Sequence, residues 1–85
     1  MDNIKRASQI AKLTQKIAGW LKERDESEKE AGKRLPFTQD HVYQDVTVRG
    51  FNCYASIKMI LDMFYYDCIL DRMGDEYRIM NSIGD

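Results

Sequence analysis

Apolar residues recur at helical spacing from Ile4 to about Arg24, as Ile10, Leu13, Ile17, Trp20 and Leu21, with Ile4, Ala7, Ala11 and Ala18 alongside. Residues three and four apart meet on one side of a helix, and this stretch holds no Pro and one Gly, so a long amphipathic first helix is predicted. Its apolar arc covers roughly 200° at about 100° per residue, wider than the stripe of about 100° that covers one core. Part of it is therefore expected to meet a second subunit, with Ile10, Ile17 and Leu21 turned to the chain's own core and Leu13 and Trp20 to the partner. Lys5, Lys12 and Lys16 share the other face, as a solvated surface or a binding strip.

Residues 23 to 34, ERDESEKEAGKR, carry one apolar side chain, Ala31. With so little area to bury they read as a frayed helix end and linker, stopped near Gly32. Pro36 disfavours helix at Leu35, and Leu35-Pro36-Phe37 suits a short extended edge piece. Thr38 has the chemistry of an N-cap, and Val42 and Val46 fall four apart, giving a short helix from about Gln39 to Val46. Gly50 breaks the chain. A second long helix is predicted from Asn52 or Cys53 to about Tyr66, with Cys53, Ile57, Ile60, Leu61 and Phe64 on one side and Ala55, Lys58, Met59, Asp62 and Tyr66 on the other. Cys68-Ile69-Leu70, a turn at Met73-Gly74-Asp75-Glu76 and the alternating Tyr77-Arg78-Ile79-Met80 then predict a β-hairpin.

The fold class is thus mainly α with a small β-hairpin. One folding unit is expected, with residues 1–34 as N-terminal helix and charged linker, 35–80 as the compact part and 81–85 as a loose tail. The expected core comprises Leu35, Phe37, Val42, Val46, Ile57, Leu61, Phe64, Ile69, Leu70, Tyr77 and Ile79, joined by the first helix. At 85 residues and 44% hydrophobic content the chain supports one modest core and no large enzyme fold.

Charge changes the picture only when it is split along the chain. The net formal charge is -1. Residues 1–34 hold nine basic and six acidic side chains (+3), and residues 35–85 hold four and eight (-4). Cys53 and Cys68 lie fifteen residues apart and His41 is the single histidine, too few ligands for a closed zinc site, so no metal and no cofactor are expected. The thiols read as small buried side chains in a reducing compartment. No stretch approaches the roughly 20 apolar residues of a membrane span. A cytoplasmic protein is expected.

The order helix, short strand, short helix, turn, long helix, hairpin resembles a winged helix-turn-helix domain over Leu35 to Met80. Leu35-Pro36-Phe37-Thr38 matches the strand before the second helix, Ile57, Leu61 and Phe64 the aliphatic positions of the third, and Gly74-Asp75-Glu76-Tyr77-Arg78-Ile79 the wing tip and return strand. Asp67-Cys68 stands where many members end the third helix with Gly. The resemblance implies DNA binding through the exposed face of the third helix, with Asn52, Tyr54 and Lys58 near base edges and Arg49 and Arg72 on phosphates, in a small regulator that acts as a dimer through its first helix. The acidic balance of residues 35–85 opposes this. The alternative is a winged helix used as a protein-interaction module docking on a larger nucleic-acid-processing complex, its contacts drawn from Leu13, Trp20, Tyr54 and Met59 and from the supply of Met63, Tyr65 and Tyr66. No catalytic arrangement can be built around His41, Asp71 and Asp75 suit a hairpin tip, and an enzyme is not expected. A membrane-surface role for residues 3 to 22 is a further option.

Overall fold

The computed structural model describes residues 3–46 and 54–81. Three helices, α1 (Asn3–Ala31), α2 (Gln39–Asp45) and α3 (Tyr54–Tyr66), and three strands, β1 (Phe37–Thr38), β2 (Leu70–Met73) and β3 (Glu76–Ile79), follow one another in the order α1-β1-α2-α3-β2-β3. The strands form one antiparallel sheet in the order β1-β3-β2. This is the fold class expected from the sequence, mainly helical with a hairpin and a long N-terminal helix, and the short edge piece at Phe37–Thr38 adds a third strand to the hairpin.

The core collects Leu13, Ile17 and Leu21 of α1, Phe37 of β1, Val42 and Val46 at α2, Ile57, Ile60 and Leu61 of α3, and Leu70, Tyr77 and Ile79 of the hairpin. Each fully buried aliphatic or aromatic side chain contributes about 1.5 to 3 kcal/mol, so removing one is costly in so small a domain. Three expectations for these positions need correction. Leu13 is 2% exposed and belongs to the chain's own core. Trp20 also packs inward, its ring edge-on to Phe37 at 5.0 Å and its Nε1 donating to Asp45 Oδ2 at 2.8 Å. Leu35 is 44% exposed, and it is the backbone that the fold uses there: Arg24 Nη2 donates to the carbonyl oxygens of Leu35 and Pro36 at 3.3 and 3.2 Å. Phe64 and Ile69 pack at the margin of the core.

The largest departure lies in residues 23–31, which are regular helix rather than a frayed end, so that α1 continues to Ala31 and only residues 32–36 connect it to β1. What holds it is charge. Asp25 and Glu28 are 4% and 5% exposed. Arg34 bonds both through Nη1, Arg24 Nε donates to Glu28 Oε2 at 2.8 Å, and Lys29 lies one turn from Asp25 at 3.5 Å. Arg24 also stacks over Trp20 and Phe37, with 5.4 and 5.1 Å to the ring centres. Two buried carboxylates left unpaired would destabilise the fold, whereas two guanidinium groups and the helical register satisfy them.

Local chemistry sets the ends of the elements. Thr38 caps α2: the His41 N–H donates to Thr38 Oγ1 at 3.4 Å, and the Thr38 N–H donates to His41 Nδ1 at 2.9 Å. The single histidine thus takes the place usually held by Glu in a capping box. Gly32, at φ +77°, closes α1, with Gly32 N–H donating to Lys29 O and Lys33 N–H to Glu28 O. Gly74, at φ +60°, is the first of the two residues that turn β2 into β3, where a left-handed glycine suits the hairpin twist.

α3 ends in the same way as α1 but without glycine. Cys68 has φ 64°, its N–H donates to Tyr65 O, and Ile69 N–H donates to Phe64 O. Cys68 is exposed, not the buried thiol expected, because a residue in this position points its side chain to solvent; Cys53 lies outside the described residues. A left-handed L-residue costs roughly 1 to 2 kcal/mol, against about 0.5 to 1 kcal/mol of extra chain entropy for glycine. Cys68→Gly is therefore expected to stabilise the protein by about 0.5 to 1 kcal/mol, read as a higher urea midpoint at unchanged slope. An unchanged or lower midpoint would show that the cap carries no strain.

Candidate functional site

α3 turns Ser56, Ile57, Ile60 and Leu61 inward, which sets what it presents outward. At 100° per residue the opposite side carries Ala55, Met59, Asp62, Met63 and Tyr66, with Tyr54 and Lys58 along one border. Met59 and Met63 are 45% and 47% exposed and Tyr66 is 75% exposed. Their spacing of four and three residues places them on one stripe. Such a face is mostly thioether and aromatic surface, adaptable in shape and poor in hydrogen-bond donors.

The one carboxylate on this face is bound from three sides. Asp62 Oδ1 accepts from Arg72 Nη1 at 3.0 Å and from the Tyr77 hydroxyl at 2.7 Å, and Lys58 Nζ lies 3.5 Å from Oδ2. Arg72 lies opposite Tyr77 in the β2–β3 register, on the side of the hairpin that meets α3, and its guanidinium stacks over the Tyr65 ring at 4.8 Å. Partial burial pushes the Asp62 carboxyl up, but the Tyr77 hydroxyl, Arg72 and Lys58 outweigh it and hold its pKa below the ordinary value. Burial first, and then the bond to Asp62, push the Tyr77 hydroxyl up to about 12.

These contacts relocate the residues singled out from the sequence. Lys58 remains on the outward side of α3 but pairs with Asp62. Arg72, expected against phosphates, braces the wing to α3 through Asp62 and the Tyr65 ring and keeps about a third of its side chain exposed. Tyr54 is 44% exposed, edge-on to Tyr43 at 5.3 Å, and its backbone carbonyl accepts from Gln39 Nε2 at 2.6 Å. The Asp40 carboxylate beside its hydroxyl, with some burial, raises the Tyr54 pKa above the ordinary value. Tyr54, Lys58, Asp40 and Asp75 line an open groove of about 380 Å³ between α2, α3 and the wing turn. Arg49 and Asn52 lie outside the described residues. Met59 stands where expected; Met63 and Tyr66 complete its stripe, and the 59-63-66 spacing was the signal for them.

No protein family, curated protein or solved structure matches the chain. Among the described residues no group of His, Cys, Asp and Glu side chains is placed to hold a metal ion, and no helix is long and apolar enough to cross a membrane.

The Asp62 brace makes stability depend on pH at both ends. The folded carboxyl pKa lies below the unfolded value of about 3.9, so its contribution is complete above that pH and is lost as pH falls through the folded pKa. Asp62→Asn should lower the melting temperature at pH 7 and bring the two proteins together at low pH. The Tyr77 pKa is raised from about 10 unfolded, so its contribution is complete below pH 10 and lost as pH rises toward 12. Tyr77→Phe should flatten that alkaline limb. Parallel pH–stability curves for the wild type and both variants would show that the brace carries no linkage.

Proposed function

We propose that the protein is a winged-helix interaction module that docks on a protein partner through the outer face of α3. The observation that carries this reading is the composition of that face, where Met59, Met63 and Tyr66 occupy the central stripe and the nearby cations Lys58 and Arg72 converge on Asp62. A groove-reading helix gains most of its affinity by releasing counterions from phosphates, which needs outward cations. A protein-docking face gains it by burying aromatic, Met and aliphatic anchors inside a polar rim. Because the wing is tied to α3 by Arg72 and Tyr77, the stripe sits on a braced element, which lowers the cost of ordering it on binding.

The second reading, a DNA-binding regulator, draws support from one feature: residues 4 to 22 carry Lys5, Arg6, Lys12, Lys16 and Lys22 and no acid. Two measurements separate the readings. Binding of the purified chain to mixed double-stranded DNA over a salt series should give no affinity that Lys58→Glu abolishes. Affinity capture from the source cells should lose its partner on Tyr54→Ala or Met63→Asp, by at least about tenfold for an anchor at the centre of an interface, and keep it on Lys58→Glu. Salt-sensitive DNA affinity that disappears on Lys58→Glu would overturn the docking reading in favour of the DNA-binding one.

A further inference from the structure

Two surfaces of this chain look outward and complement each other. The first is the beginning of α1. That helix is about 42 Å long at 1.5 Å per residue, close to the 46 Å longest dimension of the molecule. Its first buried side chain is Leu13, and residues 4–8 are all exposed, with Ile4 at 82%. Ile4, Ala7 and Ala11 follow helical spacing, flanked by Arg6 and Lys12, and no acidic side chain occurs between residues 4 and 22. A projecting helical segment of this length is marginal by itself in water. The second is the α3 stripe, which runs about 16 Å from Ala55 to Tyr66 and is apolar but for Asp62, whose charge Lys58 and Arg72 take up. Exposed carboxylates bracket it, Asp67 at one end and Asp40 and Asp75 at the other.

We infer that the partner of the α3 face is a second copy of this chain, which lays the basic first turns of its α1 along the stripe. This rests on the docking reading above. The arm of the same molecule cannot serve, because α1 is one continuous helix anchored in its own core by Leu13, Ile17 and Leu21. Ile4 supplies an apolar anchor for the Met59–Met63 surface, and Arg6 and Lys12 meet the bracketing carboxylates. Reciprocal exchange of the two arms closes a two-fold dimer in which each contact pairs unlike surfaces.

The full-length chain should sediment as a dimer at about 100 μM in low salt and dissociate as salt rises, since screening weakens the charged rim. Met63→Asp on the face and Arg6→Glu/Lys12→Glu on the arm change exposed residues, and each should weaken the dimer by at least about tenfold. The decisive arm mixes the two variants, differently labelled. Their heterodimer keeps one contact in which both surfaces are wild type, so it should be tighter than either variant alone. A wild type that stays monomeric in low salt, or a mixture no tighter than its components, would overturn the inference. If that happens while Met63→Asp still loses a captured partner, the docking reading stands and only the second copy falls. Dimerisation and capture both unchanged by Met63→Asp would remove both.

Discussion

The ring of Phe37 sits where the long helix, the sheet and the charged end of α1 converge, and the remainder of the fold is arranged around it. Strand β1 is only two residues long, and one of them is this wholly buried phenyl group. Trp20 meets it edge-on, Tyr77 stacks on it at 6.0 Å, and the Arg24 guanidinium lies over it. A two-residue strand pairs with too few backbone groups to place itself, so side-chain burial and the Arg24 bonds to the Leu35 and Pro36 carbonyl oxygens do that work. Arg24 is thereby shared between an ion pair with Glu28, two rings and two carbonyls. The ionic end of α1 and the apolar core are one structure, because the same guanidinium is a member of both.

A second convergence, on Asp62, gives the outer surface its character. A carboxylate on an outward helix face would ordinarily attract a basic ligand. Here Arg72, Tyr77 and Lys58 take up its lone pairs and charge from within the chain. The cost to nucleic-acid binding is double, since the two cations best placed near that face are neutralised by the same group. What is left for a ligand is the apolar stripe, and the wing behind it is held in one position by the brace.

The charge division along the chain becomes a division in space because α1 is a single rod. Among its charged side chains the first half carries cations alone, its second half carries the buried acids with Arg24 while Arg34 reaches them from beyond the helix end, and the helices and hairpin packed beside it carry the excess of carboxylates. A net charge near zero therefore conceals two oppositely charged ends. That is the physical condition under which like molecules attract in a fixed orientation, at a strength set by salt.

Local patterns in the sequence determined the elements that depend on neighbours in the chain. The periodicity of Ile10, Leu13, Ile17 and Leu21 and of Ile57, Ile60 and Leu61 fixes two helices, Thr38 starts a third, and Gly74-Asp75 turns the hairpin, because helical spacing, caps and turns need only a few adjacent residues. The departure at Asp67-Cys68 was legible too, and the chain meets it with a left-handed cysteine. Residues 23–31 were not legible as helix, since their stabilisation is ionic: Arg24 reaches Glu28 within the helix, but Asp25 acquires its arginine, and Glu28 a second, only when Arg34 returns from beyond Gly32. The apolar arc of α1 was visible, but how it divides was not: Leu13 joins the buried core, and Trp20 packs at its margin against Phe37 of β1 and Asp45 of α2. Met59, Lys58 and Tyr54 could be assigned to an outward face from spacing alone. Lys58 lies one helical turn from Asp62, a spacing the sequence encodes, but that Arg72 and Tyr77 meet the same carboxylate was decided by the hairpin folding back onto α3, a contact between residues ten and more positions apart that no local pattern encodes.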